Sequence, residues 1–168
     1  MAVVDRVSTL ITNATSSPIV FNNGRVAGAP LYQARAVITT AADDSQNSIG
    51  RFLRLPSNAI VASVTLSMAD ATTGGAVDIG LYQTAGNGGA VVDADLFASA
   101  FVLTNGPYSN VDITFESGEY TFAESLTPLW AVIGLSADPG RHYDLAYTIT
   151  TTFNGAGTSM LLTAAWTI

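Results

Sequence analysis

The chain has 168 residues, a formal net charge of −7 and no cysteine. That length fits one ordinary domain able to bury its own core, and the lack of cysteine excludes disulfide frameworks, cysteine zinc sites and thiol nucleophiles. Lysine is absent and the six arginines, Arg6, Arg25, Arg35, Arg51, Arg54 and Arg141, are scattered, so the chain carries no electrostatic footprint for nucleic acid.

Charged residues make up 11% of the chain and hydrophobic ones 48%. An average soluble domain has about 25% charged residues. The surface is therefore expected to be neutral, rich in Thr, Ser, Asn and Gly, and better suited to partial cover by a partner than to full exposure.

The N-terminus reads MAVVDRVSTLITNATSS. It lacks a basic segment followed by an apolar run, so no signal peptide is expected. No stretch approaches the ~18 apolar residues of a membrane helix, so no membrane partner is expected. The sequon at Asn13-Ala14-Thr15 is read as chance in a chain that is not secreted. Residues 1–30 are rich in Ser, Asn, Thr, Gly and Pro with only short apolar pieces. They are expected to form an extended N-terminal arm that gains order by lying on another surface. A free tail or an edge strand is the plain alternative.

Residues 31–168 are expected to form a single domain. Tyr32–Thr40 is rich in β-formers and is read as a strand; Ala41–Ser48 is polar and loop-like. Arg51–Leu55 alternates imperfectly, and Pro56-Ser57-Asn58 is a turn. Ile60, Ala62, Val64, Leu66 and Met68 fall on one face of a strand over Ala59–Met68. Ala76–Gln83 is another strand, with Val77, Ile79 and Leu81 on one face. Asp93–Ala100 departs from this habit, because an Asp at the cap position, a second Asp and then Leu, Phe and Ala predict a short helix. Val111–Phe115 alternates again, and Glu116-Ser117-Gly118-Glu119 reads as a hairpin turn.

Thr127-Pro128 before Leu129–Ile133 and Gly134 suits a second short helix or a turn. The end reads as a hairpin, Asp144–Phe153 and Thr158–Ile168 around Asn154-Gly155-Ala156-Gly157. Some eight strands with one or two short helices predict an all-β fold, a jelly-roll-like antiparallel β-sandwich.

Catalytic chemistry has little to work with. His142 is the one histidine, so a Ser-His-Asp arrangement would need it, with Asp144 two residues on and on the same face of a strand. No Gly-x-Ser-x-Gly elbow accompanies it. The carboxylate pairs Asp43/Asp44, Asp93/Asp95 and Glu116/Glu119 lack any glycosidase motif. Asp93 and Asp95 offer a weak calcium signal without a full oxygen-ligand loop. Gly74-Gly75 and Asn87-Gly88-Gly89 are turns rather than phosphate cradles. Trp130 and Trp166 suit core packing better than a sugar groove. The expectation is no enzyme, no cofactor and no metal.

Four pieces of the chain taken together carry a resemblance. They are Arg51-Phe52-Leu53-Arg54-Leu55-Pro56-Ser57; Asp78-Ile79-Gly80-Leu81-Tyr82; Val92-Asp93-Ala94-Asp95-Leu96-Phe97-Ala98-Ser99; and Leu129-Trp130 leading to Gly134-Leu135-Ser136-Ala137-Asp138-Pro139-Gly140 and Tyr143-Asp144. In this order they resemble the small virion structural proteins of tailed bacteriophages, which include jelly-roll decoration or cement proteins. The resemblance covers about residues 35–168.

It implies a structural protein that binds the outer capsid surface, cements neighbouring major capsid subunits, and works as a homo-oligomer, a dimer or trimer. A protein of net charge −7 is repelled by packaged DNA, which also favours the outside of a shell. Absence of cysteine suits assembly in the host cytoplasm. The alternative is a carbohydrate- or receptor-binding β-sandwich module of a phage fibre.

Overall fold

A computed structural model describes residues 6–41, 44–152 and 158–168. The eight strands are β1 (Tyr32–Thr39), β2 (Ile49–Pro56), β3 (Ile60–Met68), β4 (Ala76–Gln83), β5 (Val91–Val102), β6 (Tyr108–Asp112), β7 (His142–Thr151) and β8 (Ser159–Thr167). Two short helices, α1 (Thr9–Thr15) and α2 (Leu129–Val132), accompany single 3-10 turns at Ala85–Asn87 and Glu124–Leu126.

The strands form two antiparallel sheets, ordered β1-β8-β3-β6 and β2-β7-β4-β5. Strand β1 pairs with β8, β2 with β7, β3 with β6 and β4 with β5. That is one long hairpin of eight strands rolled so that successive strands alternate between sheets on either side of the β4–β5 tip, which is the jelly-roll connection.

The sheets close on a single core. From one sheet come Val61, Val64, Leu66, Met68, Met160 and Leu162; from the other come Leu55, Val77, Ile79, Leu81, Leu145 and Ile149. Each such side chain removed from water is worth about 1.5–3 kcal/mol, and this burial on one face is what the period-2 alternation encodes. Tyr120 spans the core from the loop after β6, packs on Phe97 and donates its hydroxyl to the Val61 carbonyl at 2.9 Å.

The structure corrects four expectations. Residues Asp93–Ala100 are not a helix: they lie within β5, the margin of its sheet. Their helix-like composition yields to the pairing that completes the sheet. The strand is irregular, since between the pairs Ile79↔Ala98 and Leu81↔Asp93 β5 advances five residues against two on β4.

The end of the chain is not a hairpin either. β7 pairs with β2 and β4, whereas β8 pairs with β1 and β3; alternation marks a strand but not its partner. The expected turn at Asn154–Gly157 falls outside the described residues, as does Asp43.

Glu116–Glu119 turns the chain, with Gly118 at φ 79°, but no strand follows until β7. In β3, the register shifts between Val61 and Ser63. This bulge exposes Ala62 and places Val61 with Val64, Leu66 and Met68 in the core. The second helix forms as read, but with Pro128 at its cap and Gly134 at φ 77° after its end. The arm contains a helix, α1, which its composition did not announce.

Candidate interaction surfaces

The N-terminal segment is built unlike the rest. Helix α1 is capped by the Ser8 hydroxyl, which accepts from the Ile11 N–H, and it buries none of its residues. The chain then folds back on it. The Val20 N–H donates to the Asn13 carbonyl at 3.2 Å, Asn13 Nδ2 to Asn22 Oδ1 at 2.8 Å, and Asn22 Nδ2 to the Leu10 carbonyl at 3.1 Å. Arg25 ties the segment to the sandwich: its guanidinium donates to the Asn58 carbonyl, and Thr167 Oγ1 donates to the Arg25 carbonyl at 2.9 Å.

Polar groups thus hold the segment together while its apolar side chains face water. Val7, Leu10, Ile11, Ile19, Val20, Phe21 and Leu31 are all exposed, Phe21 to 93%. From Val7 to Leu31 the one charged residue is Arg25. A groove of about 610 Å³ separates this segment from the sandwich, lined by Leu10, Asn13, Asn23, Val26 and Leu126.

The outer face of the sheet β2-β7-β4-β5 carries charge at both margins. On the β2 side, Asp144 is buried and receives two arginines, Arg51 Nη1 at 3.2 Å and Arg54 Nε at 2.7 Å. Arg51 also donates to the Gln83 and Gly89 carbonyls and lies over the Tyr82 ring. Arg141 reaches Gln83 Oε1 at 3.4 Å, and Asp138 lies in the same neighbourhood. A shallow hollow of about 440 Å³ opens there, lined by Arg51, Arg54, Ala85 and Asp144. Residues three apart on a regular strand face opposite ways; the register shift between Arg51 and Leu53 brings both arginines to one carboxylate.

On the β5 side, one carboxylate oxygen each from Asp93, Asp95 and Glu119 lie within 4.8 Å of one another. Ser99 Oγ donates to Asp95, and the Ser99 N–H donates to Glu116 Oε2 at 2.9 Å. Asp78 Oδ1 accepts the Ala100 N–H at 2.7 Å. Burial holds the Asp93 carboxyl above its ordinary range, with the Asp95 charge adding to the effect. Asp78 is raised by burial and by Asp95 against the opposing Ala100 bond. Glu119 is raised by the charges of Asp95 and Asp93. Asp138 goes the other way: the Ser57 hydroxyl and the Gly140 N–H hold its carboxyl below the usual range.

The sequence-derived candidates are placed as follows. His142 is exposed at the start of β7, and both oxygens of Asp144 are engaged by arginine, so Asp144 does not orient the imidazole. Asp44 accepts the Ala41 N–H at 2.9 Å as a local turn. Asp93 and Asp95 do come together, and Glu119 joins them. That third acid, distant in sequence, is carried in by the loop after β6. Trp166 packs on the core margin and stacks on Tyr32 at 6.3 Å. Phe115, Tyr120 and Phe122 form an aromatic shelf, Phe122 standing 78% exposed. Among the described residues, no helix is long and apolar enough to cross a membrane.

No family model matches the chain, and no curated protein matches it in sequence. Among solved structures it is similar to a chain of the cyanophage Pam1 capsid asymmetric unit, with TM-score 0.55 and 15% identity, over 89% of this chain and 92% of that one. It is also similar to a chain of the acidic stable capsid structure of Helicobacter pylori bacteriophage KHP30, with TM-score 0.44 and 13% identity, over 82% and 87%. The first likeness extends over both sheets and is one of fold.

Proposed function

We propose that the protein is a structural component of a phage virion that binds the outer surface of the capsid and cements neighbouring major capsid subunits, acting as a homo-oligomer and catalysing nothing. The observation that carries this reading is the N-terminal segment. A single-charge stretch whose apolar side chains face water is costly in a free monomer and suits an apolar groove between shell subunits. The fold likeness to a chain of a phage capsid asymmetric unit supports the same reading.

The mechanism is adhesion. The sandwich supplies a stiff body, the segment supplies apolar contact, and repetition by symmetry multiplies weak contacts into avidity.

The test is addition of the purified full chain to expanded capsids of its phage that lack it. Co-sedimentation at a fixed stoichiometry per capsid, with added density on the outer surface by cryo-electron microscopy, is the expected result. Failure to bind under any salt condition overturns the reading.

A further inference from the structure

The sheet β2-β7-β4-β5 carries two patches of opposite charge, an arginine margin that reaches from β2 across β7 to the end of β4 and an acidic margin along β5. Three of the six arginines, Arg51, Arg54 and Arg141, gather around Asp144 and Gln83 in the first, with Asp138 beside them, so that three positive charges face two carboxylates there. Asp78, Asp93, Asp95, Glu116 and Glu119 gather at the other. Tyr82 of β4 stands between them: Arg51 lies over its ring, and it feels the charges of Asp78 and Asp95.

Among the described residues the arginine ion pairs use Asp144 alone, and none of the five acids meets an arginine. In a chain with 11% charged residues, gathering five uncompensated acids works against stability unless something outside the monomer answers them. The acids alone do not say what that is. The arginine margin does: Arg54 keeps 56% of its side chain exposed while one carboxylate takes its Nε, and Arg141 is exposed beside it.

We propose that the acidic margin of one copy docks on the arginine margin of a second copy of this chain, with Arg54 and Arg141 facing Glu119 and Asp95. The patches are two different surfaces of one chain. The contact is therefore head-to-tail, and a rotation that closes it makes a ring.

It is not an extension of the sheet. The Leu96 and Phe97 carbonyls of β5 are taken by the Tyr120 and Ser117 N–H groups, and its Ser99 and Ala100 N–H groups by carboxylates. That edge is closed to a further strand; the contact is made by side chains. The inference rests on the homo-oligomer part of the proposed function, concerns the protein free in solution, and stands apart from capsid binding.

The test is sedimentation equilibrium of the full chain and of charge-reversal variants. Glu119→Arg changes an exposed side chain, and the fold of each variant is checked by circular dichroism. Arg54→Glu is paired with Arg35→Glu, which makes the same change in net charge on the exposed face of the other sheet.

The wild-type chain is expected to self-associate, and to lose this at about 1 M salt, where screening extends only ~3 Å. Glu119→Arg and Arg54→Glu are each expected to weaken association tenfold or more, Arg35→Glu to leave it within threefold, and the double variant Glu119→Arg/Arg54→Glu to restore it. A strict monomer at low salt overturns the proposal. So does an oligomer indifferent to Glu119→Arg, or a double variant no better than either single one. Because the readout is the mass of the free protein, a variant that stays monomeric yet still sediments with capsids leaves the cementing reading standing.

Discussion

Gly80 shows how one residue fixes an element. It sits in the middle of β4, and a Cβ added there would lie 2.1 Å from the Asp93 carbonyl oxygen and 2.5 Å from the Ala94 carbonyl carbon. The bulged part of β5 crosses directly over it. What closes that space is backbone, which cannot rotate away as a side chain end can. Gly80→Ala is therefore expected to push β5 off β4 and to destabilise the sandwich by about 2 kcal/mol or more, the scale of an overpacked core. Thermal unfolding reads this as a fall in Tm of roughly 4–8 °C for a domain of this size. An unchanged Tm would show that β5 does not take this path. The same displacement would spread Asp93 and Asp95 from Asp78, so this one glycine also holds the acidic margin together.

At the scale of elements, the N-terminal segment and the sandwich divide the work. The segment meets the body through few polar ties, chiefly Arg25 to Asn58 and Thr167 to Arg25, and contributes none of the residues of the core. Deleting residues 1–30 is expected to leave the cooperative unfolding transition in place while abolishing co-sedimentation with capsids. Undiminished capsid binding by the shortened chain would remove the segment from the adhesive surface.

Legibility of the fold follows the same division. The strands β3 and β4 were readable because their inner faces repeat every second residue, broken in β3 only at the Val61–Ser63 bulge, and that repeat is the direct consequence of having one buried face; β1 was readable from its β-forming residues. β5 was not, since Asp93, Ala94, Leu96 and Ala98 have helix-like composition and the strand exists through its pairing with β4. The partners of β7 and β8 were hidden for a similar reason: turn residues and alternation are local, whereas the jump between sheets is set by the whole roll. Of the charged face, Asp93 and Asp95 were visible as neighbours. Arg51 and Arg54 became partners through a bulge, and Glu119 through the fold of a loop, neither of which leaves a spacing to read.

For the whole molecule, the separation of charge sets how stability answers pH. Asp78, Asp93 and Glu119 all have carboxyls raised in the folded protein, by burial or by neighbouring acids. A raised carboxyl binds its proton more tightly when folded than when unfolded. Its contribution is fully present below the ordinary carboxylate value of about 4 and is lost as pH rises through the folded value. Asp138 is the opposite case, lowered by Ser57 and Gly140; its contribution is present above the ordinary value and is lost as pH falls through the lowered one. Between neutrality and the ordinary carboxylate range the three raised groups act first, and the overall charge of −7 is relieved in the same direction. For the dissociated chain, at protein concentrations too low for self-association, thermal stability is therefore expected to rise as the pH is brought down from 7 toward about 4, and to turn over below that, where Asp138 loses its partners. Asp93→Asn isolates the cause, because its amide oxygen can still accept from the backbone of residues 95 and 96 but no longer titrates. That variant is expected to be more stable than the wild type at pH 7, with the difference shrinking as the pH falls. A wild-type Tm that falls steadily from pH 7 downward, or an Asp93→Asn gain that does not depend on pH, would show that the acidic margin is not under charge strain in the folded protein.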